Sequence, residues 1–123
     1  MENLFVYGSL KKGFGNHRVL ENSQYVGVSE TGYSYEMVNL GYFPGVIKNE
    51  VAPIFGEIYL VDEDTMQALD RLEGNGSFYN RQLIWLGGIF TAWMYFLVTR
   101  PEGGKMSPVN GRFVWEKEKN YVA

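Results

Sequence analysis

One carboxylate stands in an unfavourable place. In "DEDTMQALDRLEG" (62–74), apolar residues recur at Met66, Leu69 and Leu72, the spacing of a helix with one buried stripe. Glu73 lies seven residues after Met66 and four after Leu69, so it projects near that stripe. It also falls in the last turn, at the negative end of the helix dipole. Burial and the dipole both disfavour its charged form and push its pKa up. A carboxyl moved from its usual value of about 4.3 toward roughly 6–7 can take and return protons near neutral pH. The plain alternative is that Glu73 turns to solvent or pairs with Arg71 or Arg81.

A second place suited to chemistry is "VYGSLKKG" (6–13), where an apolar run stops at Gly8. A glycine there is most simply a turn. Consecutive backbone N–H groups in such a loop can also converge into a cradle for an anion. The Gly-Lys-Ser/Thr part of a phosphate loop is missing, so a small carboxylate suits it better than a nucleotide.

These two places need a framework. With 123 residues, one domain spanning 1–123 is the expectation. Nine Tyr, eight Phe, three Trp and 15 Gly favour pleated surfaces joined by turns. Strands are expected over 3–7, within 23–41, from 43–48, over 54–61, 78–86 and 90–98, and over 111–117. Glu30–Gly32, Leu40–Gly41 and the 87–88 pair read as turns, and 99–111 as a loop. Asp62 and Gly74 bracket the helix as N-cap and C′ glycine. A short helix over 16–22, capped by Asn16, turns Val19 and Leu20 inward. The fold class is therefore α+β, a small mixed β-barrel of about six or seven strands with one or two flanking helices.

Several classes of function lose support. The formal net charge is −3, and basic residues never run beyond two, so nucleic acid and membrane surfaces are poor partners. Without cysteine there is no disulfide and no thiolate nucleophile or metal ligand. No apolar run approaches the ~20 residues of a membrane-spanning helix, and no signal peptide is apparent. A cytoplasmic protein, monomeric by default, is expected. His17 reads as a polar contact, Lys11 and Lys12 as a solvated pair, and Glu57 as a structural group under the pocket. Arg81 reads as an ion-pair partner, Pro44 and Gly45 as a rim or a turn, and the tryptophans Trp85, Trp93 and Trp115 as core or end cover.

Taken in combination, "VYGSLKKG", "NHRVL", "GEIYLVDEDTMQALDRLEG" and "YNRQ" resemble the γ-glutamylcyclotransferase-like family, most of all its γ-glutamylamine cyclotransferase branch. The likeness runs from about residue 4 to about 98. It implies a pocket at the barrel mouth, with Tyr7, Gly8, Ser9 and Leu10 holding the amino-acid end of a γ-glutamyl group. It also implies Glu73 as the catalytic acid/base and Tyr79 beside the pocket, although a strand tyrosine packing on the core is the ordinary alternative. The implied reaction is C–N cleavage with lactam formation. The substrate's α-amine attacks its own γ-carbonyl, releases 5-oxoproline and needs no cofactor or metal. Ser9 stands where relatives often have threonine. Two other readings share the scaffold: a non-catalytic small-molecule-binding module, and an enzyme that removes a γ-glutamyl protecting group from a biosynthetic intermediate. The 99–111 loop is a candidate cap over the pocket.

Overall fold

β1 (Glu2–Val6) is the central strand, and its sequence explains why. Leu4, Phe5 and Val6 form an unbroken apolar run, all but inaccessible to water, as a strand covered on both faces requires. It pairs antiparallel with β5 (Phe55–Val61) and parallel with β7 (Phe90–Leu97), through Leu4 opposite Trp93 in the latter case. β2 (Gln24–Glu30) flanks β5, and β6 (Tyr79–Leu86) flanks β7, giving the order β2-β5-β1-β7-β6. β3 (Tyr35–Asn39) and β4 (Pro44–Ala52) form a separate two-stranded antiparallel sheet. This computed structural model describes residues 1–87 and 90–116.

The five-stranded sheet curls strongly, and its two edge strands touch at one end. Thr31, just past β2, makes an antiparallel bridge with Leu86, and the Gly32 N–H donates to the Trp85 carbonyl at 2.7 Å. No such pairing follows β2 and β6 along their length among the described residues. The molecule is thus the expected α+β fold of seven strands and a flanking helix, with the strands in a curled mixed sheet of two parts that does not close into a barrel.

Alternation along β1 divides the core. Phe5 and Tyr7 pack with Met37, Val46, Met94 and Phe96 inside the curl. Leu4 and Val6 face the other way, toward Met66 and Leu69 of α1 (Glu63–Leu72). Burying an aliphatic side chain of that size contributes about 1.5–3 kcal/mol, so these contacts, more than helix propensity, fix α1 to the sheet. The ends of α1 are as expected. The Asp62 carboxylate accepts from the Thr65 N–H at 2.7 Å, and Gly74 takes the left-handed backbone (φ +60°) that stops the helix. Leu72 departs from expectation. It lies off the stripe, largely exposed, because the helix is ending where the cavity begins.

Other departures are local. The short helix is a single 3₁₀ turn, His17–Leu20. Asn16 does not cap it, because its amide donates instead to the Ser9 hydroxyl at 3.1 Å. Leu20 is buried and Val19 half-buried, as expected. The 111–117 segment makes only isolated bridges at Arg112 and Phe113, since the glycine-rich chain before it folds back on itself. Its last residue, like residue 88 of the expected 87–88 turn, lies outside the described residues. Trp115 fills the core, Trp93 is half-buried, and Trp85 points outward from an edge strand instead of filling the core. Lys11 is not solvated. It is buried, and its ammonium donates to the Trp115 carbonyl at 2.6 Å. Among the described residues no helix is long and apolar enough to cross a membrane.

Candidate active site

Where β1 ends, the chain leaves the sheet and turns tightly. The Lys11 N–H closes this turn on the Gly8 carbonyl at 3.0 Å, and the Asn16 N–H holds the Ser9 carbonyl at 2.9 Å. The N–H groups of Gly8, Ser9 and Leu10 donate to no acceptor among the described residues. Backbone donors in a cavity wall are usually paired, so three consecutive ones without a described partner are available to an acceptor such as an anion. Gly8 is needed here for space, not for unusual dihedral angles. A Cβ on it would lie 2.7 Å from both Cδ and Cγ of Pro44.

The cavity is about 330 Å³ in volume. All six residues singled out in the sequence line it: Tyr7, Gly8, Ser9, Leu10, Glu73 and Tyr79. They arrive from three elements that lie far apart in the chain. β1 delivers the loop, the end of α1 delivers Glu73, and β6 delivers Tyr79. The sequence reading missed Tyr95 of β7, together with Phe43, Phe78, Arg71 and Leu72 at the mouth. A polar handle on the buried half of an otherwise largely apolar strand is the sequence signal that could have flagged Tyr95.

Glu73 is half-buried and accepts no hydrogen bond from any described residue. Burial alone pushes its carboxyl up to about 7. Neither arginine neutralises it. Arg81 is committed to Asp70, with Nε to Oδ1 at 2.8 Å and NH2 to Oδ2 at 2.9 Å. Three tyrosines wall the site, and each gives its hydroxyl proton to the protein. Tyr7 donates to the Tyr95 carbonyl at 2.8 Å, Tyr79 to the Pro44 carbonyl at 2.8 Å, and Tyr95 to Asp70 at 2.6 Å. Burial is the first cause that raises all three phenols, with the Glu73 charge adding to it. They therefore stay neutral.

The remaining candidates, apart from Pro44, fall outside the cavity. His17 donates its Nδ1–H to the Leu10 carbonyl, 2.9 Å away, and packs on Tyr59. Glu57 accepts from the Lys12 N–H and the Tyr59 hydroxyl, a structural role behind the loop. Pro44 lines the cavity but Gly45 does not. The 99–111 loop contributes no lining residue and is tied instead to β3, where Asn39 donates to the Gly104 carbonyl at 2.7 Å. No three His, Asp or Glu side chains gather as metal ligands among the described residues.

The chain is similar to several known proteins. A Methanocaldococcus jannaschii protein provisionally named a gamma-glutamylcyclotransferase is 44% identical over 103 residues, covering 78% of this chain and 84% of that one. A Danio rerio protein named gamma-glutamylaminecyclotransferase A is 33% identical over 93 residues, 68% of this chain and 58% of its own length. The crystal structure of an AIG2-like protein from Mus musculus superposes with a TM-score of 0.79 at 26% identity, covering 92% of this chain and 88% of the other. The family profile described as "Gamma-glutamyl cyclotransferase, AIG2-like" matches residues 4–117. Such relatives support a cyclotransferase activity in general terms, and the chain belongs to the gamma-glutamyl cyclotransferase, AIG2-like family.

Proposed function

We propose that this protein releases 5-oxoproline from a γ-glutamyl amine or γ-glutamyl amino acid, with Glu73 moving the protons. The observation that carries the reading is the Glu73 carboxyl, buried, unpaired among the described residues and raised to about 7, in the same cavity as the Gly8–Leu10 donors. The substrate α-carboxylate sits on those three N–H groups. Held there, its α-amine folds back toward its own γ-carbonyl, and the reacting atoms no longer need to find each other. An α-amine with a pKa near 8 is mostly protonated at neutral pH, so Glu73 first takes a proton from it. The freed nitrogen attacks the γ-carbon and a new C–N bond closes the five-membered ring. The old C–N bond breaks as Glu73 returns its proton to the departing nitrogen, and Glu73 then takes the second proton of the ring nitrogen, which keeps one hydrogen in the lactam, and passes it to the released amine. Acid/base catalysis of this kind contributes roughly 10²–10⁴-fold. The leaving group lies toward Arg71, Leu72, Phe43 and Phe78 at the mouth.

The test is 5-oxoproline release from γ-glutamyl-alanine, γ-glutamyl-ε-lysine, γ-glutamyl-butylamine and glutathione, with Glu73→Gln in parallel. Release by the wild type and its loss in a folded variant are expected. A fully active variant, or no release from any substrate, overturns the reading.

A further inference from the structure

Among the described residues one acid and one base line the cavity, Glu73 and Arg71, and no ion pair joins them. Arg71 is exposed in the last turn of α1. Its helical neighbours three and four residues back are Ala68 and Gln67, and neither carries a charge. Asp70, the acid next to it in sequence, is held by Arg81 through two hydrogen bonds. The Arg71 guanidinium thus has no hydrogen-bond or ion-pair partner among the described residues. Beside it the mouth is apolar. Leu72 and Phe78 leave 44% and 49% of their surface in water, and the Phe43 ring meets the Phe78 ring edge-on at 6.3 Å. Phe78 in turn packs on the Tyr79 ring at 4.9 Å. Large apolar side chains exposed together at the edge of a cavity mark a place that a ligand covers.

We propose that the leaving group of the substrate is an α-amino acid with a large apolar side chain, whose carboxylate pairs with Arg71 and whose side chain lies on Phe43, Leu72 and Phe78. This rests on the cyclotransferase reading and narrows its substrates to γ-glutamyl amino acids. In such a dipeptide the carboxylate and the side chain diverge from the carbon that carries the scissile nitrogen. A site for it needs a cation and an apolar wall side by side, apart from the donors that take the first carboxylate. The mouth supplies both, with Arg71 next to Leu72, while the Gly8–Leu10 N–H groups serve the other end. A simple alkylamine would cover the apolar wall and leave Arg71 unpartnered. A lysine linked through its ε-nitrogen would bring an ammonium to a mouth that already carries a cation. Glutathione sets its leaving-group carboxylate one residue further from the scissile nitrogen. At about 330 Å³ the cavity is at the small end of ligand sites, as a dipeptide requires. The net charge of −3 gives no general attraction for an extra carboxylate, so a preference for one comes from the mouth itself.

The test uses pairs of substrates that differ by one carboxylate: γ-glutamyl-leucine with γ-glutamyl-isopentylamine, and γ-glutamyl-phenylalanine with γ-glutamyl-phenethylamine. Release of 5-oxoproline gives kcat and KM for the full-length wild type, Arg71→Gln, Arg71→Lys and Phe78→Ala. Calorimetry with Glu73→Gln gives the affinities of the same pairs without turnover. The wild type is expected to favour each amino acid over its amine by about 5–10-fold, mostly through KM, between the effect of an exposed ion pair and that of a charge-assisted hydrogen bond. Arg71→Gln brings the ratio to about one by weakening the amino acid alone, and Arg71→Lys keeps most of it. Phe78→Ala leaves that ratio in place and lowers the preference for γ-glutamyl-leucine over γ-glutamyl-alanine by about 3–5-fold. A wild type that does not favour the carboxylate overturns the proposal. So does an Arg71→Gln protein that loses both members of a pair equally, which is what a merely structural arginine gives, or a Phe78→Ala protein with its leucine preference unchanged. If nothing releases 5-oxoproline, the cyclotransferase reading falls, and the affinities of the pairs still decide the part of Arg71. Absence of binding by every member overturns both.

Discussion

Replacing Glu73 by glutamine should make the protein more stable at alkaline pH while removing its activity. The carboxyl moves from an ordinary value of 4.5 to about 7 on folding. The native state therefore binds the proton more tightly than the unfolded chain does. Below both values the acid is neutral in either state and nothing is lost. As pH rises from 4.5 through about 7, the unfolded state ionises first and stability falls. That gap, at about 1.4 kcal/mol per pH unit, sets a ceiling of about 3 kcal/mol. Glu73 is half-buried at the rim of an open cavity, and water reaching it reduces the figure to about 1–2 kcal/mol. Glutamine cannot ionise and escapes this loss. Urea unfolding of the wild type and Glu73→Gln at pH 4.5 and pH 8.5 measures the effect. A fixed cost of seating an amide cancels when the two differences are compared. The variant should gain about 1–2 kcal/mol relative to the wild type between the two pH values. An unchanged difference would mean that the carboxyl is well solvated, and the physical basis for its role as acid and base would be gone.

Two further outcomes follow from the cavity wall. In Gly8→Val, the new Cβ would lie 2.7 Å from the Pro44 ring, well inside the ~3.5–4.0 Å optimum. The strain should cost about 1–3 kcal/mol, visible as a lowered Tm, and should raise KM by displacing the loop donors. An unchanged KM in the folded variant would remove the cradle. Tyr79→Phe keeps the ring but leaves the Pro44 carbonyl without its 2.8 Å hydrogen bond. Stability should drop by about 1–3 kcal/mol, and KM should rise more than kcat falls. Complete loss of turnover in a folded Tyr79→Phe protein would mean that Glu73 is not the sole proton carrier.

Much of the site was legible in the residues because each signal was local. Helical spacing around Met66 and Leu69 placed Glu73 beside a buried stripe, and that stripe is buried. An apolar run ending in glycine marked the end of β1 and the turn after it. Asp62 and Gly74 cap the helix by contacts within three or four residues. Where local signals competed, the reading failed. Asn16 has the chemistry of a helix cap, yet Ser9, brought near by the turn, offers it a better acceptor. Lys11 has the look of a solvated residue, yet its ammonium reaches a carbonyl contributed from more than a hundred residues away. Strand-like residues from 111 onward pair only at Arg112 and Phe113, the latter beside Ile54, among the described residues.

The sequence by itself determined most of the elements, the caps of the helix, and a carboxylate set beside its buried stripe. Those properties follow from periodicity and backbone chemistry within a few residues. Only the tertiary structure decided that the sheet curls without closing, and that Glu73 shares a cavity with the loop after β1. It alone assigned Arg81 to Asp70 instead of Glu73. The pairing of β6 with β7 delivers Arg81 and Tyr95 together to Asp70. No spacing along the chain encodes that choice, because it is made by side chains that meet only when the sheet has formed.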